Sequence, residues 1–317
     1  MPLAKCYLLI YLLALPFISL FNFGSAVVRS GGDTKRPMYC LIFAGIVNLL
    51  LNLLLVIVFN MSVVGVATAT LISNVVSSAM IVRILLKEKG LLHLEIKNLH
   101  IAKEPLIKMI RSGVPAALQT TVFSIANVTI QSGINAFGPA AIAGSAAANN
   151  FEMFDYYLVN AFNQTAVTFV GQNFAAKKPE RCKQILKVCM IESLIGVLLL
   201  EAFFYFGRYS LIRIFTTQEA VIAYAMVRIT CCTLPHFLMC SYEITGSVLR
   251  GMGHSLLPAI LTLIGSVGFR VFWVVVVFKA WHTFHGLLIV YPLSWILTGI
   301  MVITAYVVIS KKELRTE

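Results

Sequence analysis

Five carboxylates lie inside stretches of this chain that are otherwise apolar: Glu152, Asp155, Glu192, Glu201 and Glu243. An ionisable side chain at membrane depth is expensive and marks an ion or substrate path by default. Such a carboxylate can trade a proton or a sodium ion for an organic cation, because protonation removes the charge that holds the cation. Glu243 stands seven residues before Arg250, about 10 Å along a helix at the usual rise per residue. Glu152 stands about 20 Å along its helix from Pro139, close to mid-membrane. Asp155 follows three residues later on the same face. These three are the candidate coupling residues. The structural alternative is that they pair with Arg228 or Arg270, or approach an interface. Glu192 and Glu201 read as peripheral. The amides Gln119, Asn127, Gln131, Asn149, Asn150, Asn160 and Asn163 are placed to line a cavity around the acids. Their alternative role is hydrogen bonding between helices, worth about 0.6 kcal/mol each.

Other chemistries find no support. There is no P-loop, so ATP hydrolysis is not the energy source. The six histidines sit mostly in loops or near span ends, none at metal-ligand spacing with carboxylates. No metal, cofactor or enzymatic activity is expected, and the only small ion called for is H⁺ or Na⁺. Most of the seven cysteines lie in apolar runs without a CxxC pair and read as small apolar fillers. The net charge of +12 does not point to nucleic acid, because the basic residues sit in short breaks between apolar runs.

The elements that must position these residues are membrane helices. Apolar residues make up 59% of the 317 and charged ones only 12%, against about 25% charged in soluble domains. Mean hydropathy is +0.88. Nine apolar runs of spanning length predict an all-α polytopic membrane protein. The runs are 6–28, 38–59, 64–86, 107–136, 140–172, 184–206, 220–249, 258–279 and 286–309. The first, led by Lys5 and ending near Gly24 and Ala26, has features of a signal peptide but reads as a true span. An amphipathic connector with Arg208 and Arg213 follows the sixth. Pro16, Pro115 and Pro235 lie inside spans, which membrane helices tolerate.

A polar hinge, Arg29 to Pro37, joins the first two runs. Arg250 to Pro258 repeats its frame 221 positions on: Arg29, Gly32 and Pro37 match Arg250, Gly253 and Pro258. The register holds onward, Gly65 meeting Gly286 and Ser73 meeting Ser294. A unit of about two hairpins is therefore present twice. These hinge residues, with Asp33, read as structural, the two arginines as helix anchors. Alternate connections carry 19 Lys and Arg on one side, including Arg315, and three on the other. That puts the first set, and the C-terminus, in the cytoplasm. Residues 87–104 form the longest polar stretch and read as a cytoplasmic linker between 1–86 and 105–317.

Leu15-Pro16-Phe17, Asn22, Arg29, Gly32-Asp33-Thr34 and Pro37, followed by Asn48 and Asn52, resemble the fourth and fifth helices of multidrug and toxic-compound extrusion (MATE) transporters. Leu249 to Gly253 with Pro258 resembles the equivalent turn of the second lobe, and Thr168 to Asn173 the eighth-to-ninth helix region. The resemblance implies twelve helices in two six-helix lobes. On that frame 1–86 is a three-helix remnant of the first lobe, 105–317 is the second lobe, and about three helices are missing ahead of Arg29. The expectation is a fragment, from a mis-started gene or a truncated allele. The implied function is secondary export of amphipathic, often cationic compounds in exchange for H⁺ or Na⁺ across a bacterial inner membrane. The implied partners are small organic substrates and the lipid bilayer, not nucleic acid. The alternatives are a lipid-linked oligosaccharide flippase of the same superfamily, whose cavity would be rich in Arg and Lys, or an inactive truncated membrane protein. One departure stands out: 112–136 holds no acid, although one branch of the family carries a coupling carboxylate there.

Overall fold

The computed structural model describes the backbone of residues 2–90 and 92–314, with side chains left out at 2–4, 112, 115 and 116. Arg315 and the Pro115 side chain lie outside the described residues. Those described form helices and turns with no strand, in two compact units, 1–101 and 102–317.

The first unit holds α1 (Pro2–Ser30), α2 (Lys35–Val58) and α3 (Ser62–Lys87). A small core of Phe21, Val28, Cys40, Ile81 and Leu85 joins them. Most other large apolar side chains are exposed, among them Leu13, Phe23, Leu49, Ile57 and Val58, as expected of helices solvated by lipid. Asn48 and Asn52 do share a face. Asn52 donates to Asn48 Oδ1 at 3.0 Å and Asn48 donates to Ser73 at 3.2 Å, linking α2 to α3.

The second unit holds α4 (Lys103–Asn135), α5 (Pro139–Ala175), α6 (Pro179–Phe215), α7 (Glu219–Thr233), α8 (Leu238–Gly251), α9 (Leu256–Ala280) and α10 (Phe284–Glu313). α5 is central, packing on α6, α7 and α8. Its small-residue stretch serves that packing: a Cβ at Gly144 would lie 2.4 Å from the carbonyl oxygen of Val221 on α7. Ala147, Ala148 and Ala225 are buried nearby. The connector with Arg208 and Arg213 is continuous with α6. By length and composition α1, α2, α3, α9 and α10 are fit to cross a membrane, and α7 with α8, bent by 43°, passes the same test only as a pair, as a broken span or a re-entrant loop. The seventh predicted run is thus two helices. Pro235 has no N–H to give, and the chain turns through 234–237.

The sequence repeat is also a repeat of conformation. Gly32 and Gly253 have φ of +91° and +94°, a backbone that side-chain-bearing residues rarely adopt. Each donates its N–H to the hinge arginine carbonyl, Arg29 at 2.9 Å and Arg250 at 3.0 Å. Wide π-type turns recur at Leu53–Val58 and Trp273–Val277, equivalent places in the two copies. Each hinge is tied to the end of the second helix after it. In the first copy Asp33 accepts the N–H groups of Lys35 and Arg36, and the Arg36 guanidinium pairs with both Asp33 and Glu88. Those bonds, the Arg36 side chain first, hold the Asp33 carboxyl below its ordinary range. In the second copy His254 meets Glu313 at 2.9 Å. The chemistry differs, but the brace spans the same two elements.

Candidate functional site

A cavity of about 920 Å³ opens within the second unit, walled by α4, α5, α7, α8, α9 and α10. It is large enough for a drug-sized molecule. Glu152, Glu243, Gln119, Asn127, Gln131 and Asn163 all face it. Helical spacing explains the grouping: Gln119, Asn127 and Gln131 recur along one side of α4, and Glu152 and Asn163 along one side of α5. Phe123, Met153, Tyr156, Met239, Tyr242 and Trp295 supply the apolar and aromatic wall.

The two cavity carboxylates differ in setting. Glu152 is 5% exposed and bound in two places by Arg228, Nε donating to Oε1 at 2.7 Å and Nη2 to Oε2 at 2.9 Å. Arg228 also donates to Ser145 at 2.7 Å and Asn149 at 3.0 Å. Ser145, Asn149 and Glu152 are spaced to form one stripe of α5. This is the structural pairing weighed for Glu152, and it leaves that charge compensated. Glu243 is only partly buried and accepts one hydrogen bond, from Asn163 Nδ2 at 2.9 Å. No cation lies within ion-pair distance of it among the described residues. Glu243 is therefore the cavity's free acid.

Asp155 does not line the cavity. It is fully buried, its Oδ2 3.7 Å from His236 Nδ1, and neither carboxyl oxygen has a hydrogen-bond partner among the described residues. His236 bridges the two regions: it faces the cavity and stacks on Trp295 at 4.9 Å. Glu201, read as peripheral, is 2% exposed and accepts the Phe237 N–H at 2.6 Å. It thereby satisfies a donor freed by the break between α7 and α8. Glu192 is exposed. Of the hinge residues, Arg29, Gly32, Asp33 and Pro37 belong to the first unit and Gly253 and Pro258 stay in the second turn. Arg250 also reaches the cavity wall, donating to Ser247 at 3.2 Å.

Comparison with known proteins bears directly on this arrangement. The MatE family model matches residues 115–276, a little over half of the chain. The chain belongs to the MATE family. A second model, lipid II flippase MurJ, matches residues 4–138. The probable multidrug resistance protein YoeA of Bacillus subtilis is 26% identical over 274 residues, 84% of this chain and 59% of YoeA. The multidrug export protein MepA of Staphylococcus saprophyticus is 25% identical over 232 residues, 73% of this chain and 51% of MepA. The chain thus spans between half and three fifths of the length of these two relatives. A crystal structure of a mutant of the Vibrio cholerae MATE transporter VcmN superposes with a TM-score of 0.86 at 19% identity, over 97% of this chain and 70% of that one. That likeness places this MATE chain in an all-α polytopic membrane fold.

The cations of this MATE chain matter more than their sequence positions suggest. Arg228, Arg250 and Arg270 all wall the cavity, whereas from sequence the first and last read only as possible partners for acids and Arg250 only as a helix anchor. The available signal is their position, two of the three lying inside apolar runs where a cation needs a reason to be.

Proposed function

We propose that this chain is the substrate-handling part of a secondary multidrug exporter. It exchanges amphipathic, often cationic organic compounds for H⁺ or Na⁺. The observation that carries the reading is Glu243: a carboxylate with no paired cation among the described residues, facing an aromatic and amide-lined cavity of about 920 Å³. A cation and a coupling ion can compete for that carboxylate, and the soft Met and aromatic wall suits loose, varied binding. The names of YoeA and MepA support export of drugs. In this reading residues 1–86 belong to one lobe, 87–104 are the cytoplasmic linker and 105–317 are the other lobe. The second reading, a lipid-linked oligosaccharide flippase, draws support from the MurJ match over 4–138 and from the three cavity arginines. The exporter is preferred because Arg228 is already neutralised by Glu152.

Cells expressing the chain are expected to retain less ethidium than control cells. The difference should vanish when the proton gradient is collapsed or when sodium is removed, whichever ion couples. Equal retention in all conditions rejects the exporter reading. The same reading puts the C-terminus in the cytoplasm of a bacterial inner membrane, because the basic connections fall on that side. Green fluorescent protein fused after residue 317 should fluoresce, and alkaline phosphatase fused there should stay inactive. The reverse pair of results inverts the topology.

A further inference from the structure

Arg270 is a guanidinium with no carboxylate paired to it among the described residues. It lies inside α9, is 4% exposed and faces the cavity. Its Nε donates to Ser294 Oγ at 3.1 Å. Among the described residues its two Nη nitrogens have no acceptor, and no carboxylate lies within ion-pair distance. Arg228 in the same wall shows the contrast, with its guanidinium bound by Glu152, Ser145 and Asn149. Uncompensated charge in a low-dielectric site is costly, and a group kept there is poised for a partner that arrives.

The geometry says what partner. Arg270 sits over the Tyr291 ring at 4.6 Å and the Phe123 ring at 5.8 Å. Ser294 occupies the Nε edge. The edge left open is the Nη pair, two parallel N–H donors in one plane, which fits the two oxygens of a carboxylate. A doubly charged phosphate fits less well at Arg270: its open edge brings a single positive charge, and the free carboxylate of Glu243 in the same wall opposes it. The acid left free in the cavity is Glu243; of the two wall guanidiniums with no carboxylate partner among the described residues, Arg250 is half-buried and donates to Ser247 at the end of α8, whereas Arg270 is the buried one.

Resting on the exporter reading of this cavity, we propose that Arg270 recognises a carboxylate on the transported molecule. The preferred substrates are then amphoteric aromatic compounds, with an ammonium directed to Glu243 and a carboxylate to Arg270, and not simple cations.

Two fluorescent probes isolate the carboxylate. Nε-dansyl-lysine carries an ammonium and a carboxylate; dansylcadaverine is the same molecule with hydrogen in place of the carboxylate. Binding of each to the purified 317-residue chain in detergent at pH 7 is read from dansyl emission. Dansyl-lysine is expected to bind at least about tenfold more tightly, the worth of a charge-assisted hydrogen-bonded pair. Arg270→Gln should bring the ratio near one, and Arg270→Lys, which keeps the charge but loses the fork, should give an intermediate ratio. Glu243→Gln should weaken both probes and preserve the ratio. Equal binding of the two probes by the wild-type chain, or a ratio unchanged in Arg270→Gln, overturns the proposal. Failure of both probes to bind the wild-type chain overturns the exporter reading of the cavity, and this proposal with it.

Discussion

Arg228→Met should destabilise the protein by about 3–5 kcal/mol, the usual cost of removing one partner of a buried ion pair. The loss does not come chiefly from the Coulomb attraction. It comes from Glu152, which would stay 5% exposed in α5 with neither of its two arginine hydrogen bonds. Ser145 and Asn149 would lose their donor as well. Unfolding of the purified protein in detergent, followed by tryptophan emission, measures the effect. Glu152→Met should cost a similar amount by stranding Arg228. The double replacement should recover most of both losses, because two apolar side chains of similar volume need no compensation. Additive losses in the double variant would show that the two residues are not coupled in the way their geometry indicates.

That network also marks where sequence reading succeeds and where it stops. The hinges are legible because backbone conformation dictates residue type. Gly32 and Gly253 sit at φ near +90°, where a side chain is strained, and that requirement survives when neighbouring residues change. The cavity amides are legible because a polar side chain in an apolar run has few reasons to exist. Asp155 is harder. At about 100° per residue Ser145, Asn149 and Glu152 fall within about 60° of one another, and Asp155 lies about 90° from the middle of that stripe. That offset is enough to turn it from the cavity into contact with His236. The break at Pro235 is hidden for a different reason. A proline in a membrane helix produces a kink or a true interruption according to what satisfies the freed donors. Here that group is Glu201, 36 residues away on α6. No local pattern carries such a pairing.

Glu243→Gln should weaken binding of a permanent cation such as ethidium by at least about tenfold, the loss of one charge-assisted contact in a partly buried site. The amide keeps the size of the side chain and can still meet Asn163, so shape and fold are preserved while the charge is removed. The other charged groups of the wall are Glu152, which is committed to Arg228, and the cations Arg250 and Arg270. No second free carboxylate among the described residues of the wall can take over the contact. Equilibrium binding at one fixed pH on the wild-type and variant chains reads the loss without requiring transport. A Glu243→Gln chain whose affinity for ethidium does not drop would remove Glu243 from the site altogether.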